Sequence, residues 1–380
     1  MKPLPQLIED TTTEILLRLP PDDPACLIRA ALVCKPWRRI VSDPAFSRRY
    51  REFHRTPPLL GYLRCHYPYK NELFATTAFP FSYPAFKCTR WEALDCRHGH
   101  VLLHHIDPRP SLLVWDPITN YQRYLPVPSN LNSNKYHAGA VLCAADGYNC
   151  DHLNCPGGGP FKVVFVLNGD DRVTRLYVYS SETGLWSPPA SIPRVGSFVE
   201  GRGTLYVGRA LYFTFHCGKG FLRYDLADDE QGRLSVINVP EGYDNQIRRP
   251  TIGIVDEEGR LGFAALDEYG DVLYIWSLQA AGPDGAAKWE EQARVIDLKP
   301  LFHVDISTIF LSLSGFAEVS GSGIFSLDLK SSGQARKIHE DEWHSAIMPY
   351  MSFYTPGNGE FNEMSKSLKK LGDQVGLGST

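Results

Sequence analysis

Apolar positions near the start of the chain fall at helical spacing in four short runs. Ile15, Leu16 and Leu19 form the first, and Leu27, Ala30 and Ala31 the second. Trp37, Ile40 and Val41 form the third, and Phe46, Tyr50 and Phe53 the fourth. Spacings of three and four residues put each set on one helix face. Each run also has a start signal. Asp23-Pro24, Lys35-Pro36 and Asp43-Pro44 place proline in a first helical turn, where its fixed φ suits the helix and its missing N–H has no partner to lose. Asp23 and Asp43 are expected to cap the amides behind them. Thr11 and Glu14 read as a capping box, with Thr11 as N-cap and Glu14 three residues on. Helices this short are not stable alone, and about 50 residues make a marginal core. The module of residues 1–55 must therefore pack on itself and on something else.

After Thr56-Pro57-Pro58 the pattern changes. Short runs rich in β-branched and aromatic residues, separated by turn residues, predict strands over 59–63, 100–105, 111–115, 162–167, 175–179, 204–207, 210–215, 234–239, 261–266, 272–276 and 323–327. The runs repeat. Residues 111–120 (SLLVWDPITN) parallel 175–184 (RLYVYSSETG), and 221–225, 273–277 and 324–328 carry the strand again with a weaker turn. The aligned positions Trp115, Tyr179, Tyr224, Trp276 and Leu327 lie 64, 45, 52 and 51 residues apart. A period near 50 with several strands per unit predicts a β-propeller over 56–355, of six blades rather than five. A β-sandwich or irregular β domain is the competing reading. Residues 346–354 are expected to supply the last strand and to close the ring on the first blade, which removes exposed sheet edges. Residues 356–380 are expected to be a flexible tail.

The helical stretch resembles an F-box, the module that docks on a Skp-family adaptor in SCF ubiquitin ligases. The resemblance runs without a gap through Glu14-Ile15-Leu16, Leu19-Pro20-Pro21, Asp23, Leu27, Ala30, Val33-Cys34-Lys35, Trp37-Arg38, Val41, Asp43-Pro44 and Phe46. It implies contact with the adaptor, and through it a cullin, by Leu7, Ile8, Ile15, Leu16, Leu19, Pro20, Leu27, Val33, Cys34, Trp37 and Val41. Some of these would also form the box's own core, Trp37 among them. The sequence departs from the family's opening Leu-Pro-acidic-acidic-Leu-Leu pattern. Counting back from Glu14, threonines stand at 11 and 12 for the two leucines, and Ile8 stands for the proline. Two lost leucyl contacts are worth about 2–4 kcal/mol at an interface, so weaker adaptor binding or a late helix start is expected. The strand region resembles the F-box-associated β-propellers of plant F-box proteins, through its strand-(Ser/Asp)-x-x-Thr-(Gly/Asn) turn followed by Trp and Pro. Neither a kelch double glycine nor a WD signature recurs.

Composition adds limits. The chain has 380 residues, 43% hydrophobic and 22% charged, with a formal charge of −4 that gives no drive towards nucleic acid. Arg29, Lys35, Arg38, Arg39, Arg48, Arg49, Arg51 and Arg55 cluster in the helical module, as a face for an acidic partner or as an ordinary solvated face. No apolar run approaches a membrane span and no secretory segment is visible. The nine cysteines form no framework. Cytosol or nucleus is expected.

Candidate chemistry is sparse. Cys150, His152 and Cys155, with Cys143 upstream, lack the second ligand pair a zinc site needs. Arg97-His98-Gly99-His100 and His104-His105 hold the densest histidine cluster; on a strand His98 and His100 would share one face, as would His100 and His104, where ordinary hydrogen bonding is the simpler expectation. Asp170-Asp171, Asp228-Asp229 and Glu257-Glu258 read as hairpin tips. No phosphate loop, dinucleotide fingerprint, serine elbow or zincin motif occurs. No catalytic residue, cofactor or metal is therefore expected. The expected function is that of a substrate receptor in an SCF-type ligase, its propeller holding a protein target. The rivals are an F-box scaffold outside a ligase and a carbohydrate-binding or enzymatic propeller. The target surface is unknown, with 66–70 and 243–249 as candidate loops.

Overall fold

In the computed structural model the described residues are 9–55, 57–66, 70–75, 91–97, 99–105, 111–128, 136–144, 159–194, 197–199, 201, 204–216, 220–226, 232–239, 252–255, 260–266, 272–279, 288–291, 296–297, 316–319, 323–328, 334–339 and 346–355. The chain opens with four helices, α1 (Glu9–Leu17), α2 (Pro24–Val33), α3 (Lys35–Val41) and α4 (Pro44–His54). Asp23 accepts from the Ala25 amide at 3.2 Å and Asp43 from the Ala45 amide at 2.8 Å. Both thus cap an amide behind a first-turn proline, as read from the sequence.

The capping box is corrected. Thr11 lies inside α1, because the helix already includes Glu9 and Asp10, acidic residues that suit the positive end of a helix dipole. Helix α1 therefore does not start late. The Thr13 hydroxyl donates back to the Glu9 carbonyl at 2.8 Å, as a threonine inside a helix does.

Leu16, Leu17, Leu27, Ala30, Ala31, Ile40, Val41, Phe46 and Tyr50 make one core among the four helices. Helix α4 also satisfies the open end of α1. The Tyr50 hydroxyl donates to the Leu19 carbonyl at 2.9 Å, and a His54 ring nitrogen lies 2.9 Å from the Leu17 carbonyl. Burial pushes the Tyr50 hydroxyl pKa well up, which keeps it a donor. His54 takes the inward position expected for Phe53, which is exposed and lies under the Arg18 guanidinium.

The strands follow in antiparallel sheets whose neighbours are mostly consecutive in sequence. β1 (Leu59–His66) and β2 (Lys70–Ala75) form a hairpin. β3 (Trp91–Arg97), β4 (His100–His105), β5 (Ser111–Trp115) and β6 (Gln122–Pro126) form the next sheet. β7 (His137–Cys143), β8 (Phe161–Asn168), β9 (Val173–Ser180) and β10 (Ala190–Pro193) form the third. β11 (Leu205–Val207), β12 (Ala210–Thr214), β13 (Gly220–Asp225) and β14 (Arg233–Asn238) form the fourth. β15 (Ile252–Val255), β16 (Leu261–Leu266), β17 (Val272–Leu278) and β18 (Trp289–Glu291) form the fifth, with β19 (Ile296–Asp297) also on β17. β20 (Phe316–Val319), β21 (Gly323–Asp328) and β22 (Gln334–His339) form the sixth. β23 (Ala346–Met351) then returns to β1, with Leu63 opposite Met348 and Tyr62 opposite Pro349. The expected closing strand is thus found on the first sheet.

Alternation along the strands explains the stacking. In β4, Val101 and Leu103 enter a core shared with Leu60, Leu63 and Tyr350 of the first sheet, while Leu102 enters a core shared with Val163 and Phe165 of the third. In β8, Val164 and Val166 turn the other way, towards Leu211 and Phe213 of the fourth sheet. In β13, Phe221 meets Leu261 and Phe263 of the fifth. Sheets buried on both faces need near-continuous apolar strands, which is what runs such as LLVW and KVVFV provide. Successive sheets stacked face to face, with the last strand returned to the first, are what the propeller expectation requires.

Four of the five aligned repeat positions fall at one place in these sheets, while Leu327 lies on β21, the middle strand of the three described in the sixth sheet. Trp115, Tyr179, Tyr224 and Trp276 lie on β5, β9, β13 and β17, the third strand of each four-stranded order. After Trp115, Asp116 accepts from the Ile118 amide at 2.9 Å and from the Thr119 hydroxyl at 2.7 Å. Asn120 and Gly184 close the two matching turns at φ of 56° and 71°, a region open to glycine and tolerated by asparagine. The tryptophan that follows ties sheets together. The Trp186 indole donates to the Pro126 carbonyl at the end of β6 at 2.7 Å, and the Trp289 indole to the Asn238 carbonyl at the end of β14 at 2.8 Å.

The helices and sheets share packing. Ile28 of α2 is buried in the core of Leu60, Leu63, Trp91 and Tyr350. Tyr50 meets the Phe353 ring edge-on, with centroids 6.4 Å apart.

Candidate functional site

The helical module separates the expected adaptor-binding residues by burial. Leu16, Leu27 and Val41 are buried in its core and present no surface. Leu19 and Trp37 are half-buried against that core, and Cys34 is half-buried between α2 and α3. Ile15, Pro20 and Val33 are exposed, Ile15 by 45% and Val33 by 66%. Leu7 and Ile8 lie outside the described residues. Leu32, which the sequence reading passed over, is exposed beside Val33. Of eight large apolar side chains exposed among the described residues, Ile15, Leu32, Val33 and Phe53 belong to this short module. Such side chains concentrated on a small helical unit are chemistry for a partner surface. Of the two threonines standing for family leucines, Thr12 is buried and Thr11 exposed, so only Thr11 changes the outer surface.

Several of the basic residues are paired within the module. Arg39 reaches Glu9 at 2.8 Å, Arg49 reaches Glu14 at 2.7 Å, and Arg29 lies 3.8 Å from Asp23. The first two link α1 to α3 and α4, the third lies between α2 and its own cap, and exposed pairs of this kind are individually weak.

Elsewhere, residues 150–155 and the acidic pairs at 228–229 and 257–258 lie outside the described residues, as do most of the two candidate target loops. Asp171 pairs with Arg175 at a hairpin tip, which lowers its carboxyl pKa. The histidines of β4 do not gather by themselves. His104 instead meets Glu92 of β3 and His137 of β7. Asp95 of β3 is buried beside them in sequence. It accepts from the Val141 amide at 2.9 Å and pairs with Arg97 at 3.3 Å, and Arg97 donates to the Thr204 carbonyl at 2.7 Å. Three successive sheets are thereby joined by polar contacts. Among the described residues no helix is long and apolar enough to cross a membrane.

Comparison with known proteins agrees with this division. Residues 9–52 match the F-box-like family model. Residues 81–299 match the model described as F-box protein At3g26010-like, beta-propeller. The Arabidopsis thaliana F-box protein At3g16210 is 24% identical over 232 residues, covering 60% of this chain and 60% of that protein. Among solved structures, the chain is similar to the PQQ-bound aldose sugar dehydrogenase of Streptomyces coelicolor at 13% identity and a TM-score of 0.38, covering 80% of this chain and 91% of that one. It is likewise similar to the periplasmic gluconolactonase of Pseudomonas aeruginosa at 15% identity and a TM-score of 0.36, covering 68% and 70%. Likenesses at those scores carry no statement about activity. The family model spans more than half of the chain, and the chain belongs to the F-box protein At3g26010-like β-propeller family, with an F-box-like module ahead of the propeller.

Proposed function

We propose that this protein is the substrate-receptor subunit of an SCF-type ubiquitin ligase. The observation that carries the reading is the exposure of Ile15, Leu32 and Val33 on a module that matches the F-box-like model. The box docks on a Skp-family adaptor through these side chains and Pro20, with Leu19, Cys34 and Trp37 at the margin. Leu16, Leu27 and Val41 hold the helices in place beneath. The adaptor connects the box to a cullin. The propeller holds a protein target. Six sheets among the described residues, with β23 paired to β1, support six blades.

The chain itself performs no acyl transfer in this reading. Its contribution is geometric. Holding target and ligase on one scaffold makes their encounter intramolecular and raises the effective concentration of target lysines at the conjugating enzyme. Packing of Ile28 and Tyr50 against the first sheet and its closing segment keeps the spacing between box and propeller short and stiff. The nine cysteines, scattered along the sequence without a paired framework, support a reducing compartment, cytosol or nucleus.

The test is reconstitution of the full chain with a Skp-family adaptor, cullin and ubiquitin-conjugating enzyme. Adaptor-dependent ubiquitination of the receptor or of a protein it captures is expected. A folded chain that stays outside the cullin complex and is never modified would overturn the proposal.

A further inference from the structure

Glu92, His104 and His137 converge from three strands of two stacked sheets. Glu92 on β3 stands directly opposite His104 on β4, and His137 begins β7 of the next sheet, against which β3 packs. One donor atom from each lies within 4.8 Å of the other two. The His137 Nε2 and a Glu92 carboxylate oxygen are 3.3 Å apart, and the two imidazole centroids 4.2 Å apart. Phe165 of β8 walls off both rings, at 6.0 and 5.8 Å. His104 is 4% exposed and His137 8%.

The nitrogens are what need an explanation. Among the described residues neither Nδ1 nor Nε2 of either ring makes a hydrogen bond, the His137 Nε2 having only its 3.3 Å approach to Glu92. Buried polar groups are almost always satisfied, and a neutral imidazole carries one donor and one acceptor. Each neutral ring has one nitrogen lone pair to give. A metal ion accepts a lone pair from each ring and the charge of the carboxylate together. Two imidazoles and one carboxylate, with a further position left for a non-protein ligand, suit zinc and its first-row neighbours. Bonds of about 2.0–2.2 Å put ligand atoms roughly 3.3 Å apart, the spacing that His137 and Glu92 already have. The His104 donor atom closes in from within 4.8 Å of the other two. Access is from the Glu92 side, where the side chain is 20% exposed. There Gly201 leaves room that a Cβ, 3.4 Å from the Glu92 carboxylate, would narrow.

We infer that Glu92, His104 and His137 bind one divalent transition-metal ion of the zinc type, which fastens β3 and β4 to β7. The site goes beyond the ligase reading and does not depend on it.

The experiment uses the purified full chain, stripped with chelator and titrated with Co²⁺ and with Zn²⁺. The wild type is expected to bind one ion per chain, with visible cobalt bands free of a thiolate charge-transfer band, and to melt at higher temperature when loaded. Glu92→Gln and His137→Gln are expected to bind about tenfold more weakly or worse, while their metal-free melting stays near that of the wild type. Substoichiometric binding, equal affinity in the variants, or a thiolate band that persists in them would overturn the site. Should a variant fail to fold, X-ray absorption at the zinc edge of the loaded wild type decides. Nitrogen and oxygen scattering with imidazole features is expected, and sulfur scattering contradicts the assignment.

Discussion

The Ser47 hydroxyl donates a hydrogen bond to Thr355 Oγ1 at 2.8 Å, joining helix α4 to the segment that follows the closing strand. Around it, Phe353 packs against the box core and Ile28 enters the core of the first two sheets. Box and propeller should therefore unfold together. Ile28→Ala removes a fully buried side chain at this junction and is expected to cost about 2–4 kcal/mol. Denaturant unfolding followed by far-ultraviolet dichroism, for the helices, and by tryptophan fluorescence, for the sheets, checks this. The two transitions should coincide and shift together. A variant that melts the helices alone would show the junction to be slight.

The tie between Trp186 and Pro126 gives a second expectation. Trp186→Phe keeps an aromatic ring near Phe165, Tyr177 and Tyr179 but loses the indole N–H that reaches the neighbouring sheet. The loss should be about 1 kcal/mol, read as a lower denaturation midpoint with an unchanged slope. A destabilisation no larger in Trp186→Phe than experimental error would remove the tie from the account.

Asp95 sets a pH dependence. Burial pushes its carboxyl pKa up, against the opposing pull of Arg97 and the Val141 amide. In the folded state it holds its proton more tightly than when unfolded. The linked stability is therefore complete below the ordinary carboxylate range and is lost as pH rises through the folded pKa. Melting temperatures of wild type and Asp95→Asn, compared from pH 4 upward, should diverge in that direction, with the wild type losing ground to the variant. A wild type that gains on Asp95→Asn as pH rises would reverse the assignment.

Much of this architecture was legible in the pattern of residues. All the strand runs read from the sequence overlap observed strands, because sheets buried on both faces demand unbroken apolar runs. The turn motif was legible because Asn120 and Gly184 answer to a backbone at positive φ. Strand β7 was not. Its Ala138, Gly139 and Ala140 have poor strand character, yet a Cβ on Gly139 would lie 2.8 Å from Leu102. Small residues are there because the next sheet comes so close. Thr11 was misplaced as a cap because a threonine-rich turn reads alike at a helix start and inside one. The grouping of Glu92, His104 and His137 was invisible for a different reason. Its members are brought together by a strand register and by sheet stacking, and spacing along the chain carries neither.

Ile15 and Val33 test the central reading most directly, because they lie outside the core that Leu16 supports. The measurement is the affinity of the full chain for a Skp-family adaptor, in wild type, Ile15→Asp and Val33→Asp. The wild type is expected to bind, and each variant to lose at least tenfold, about 1.4 kcal/mol, with its melting temperature unchanged. A folded wild type that does not bind, or variants that bind as well as it does, would contradict the account.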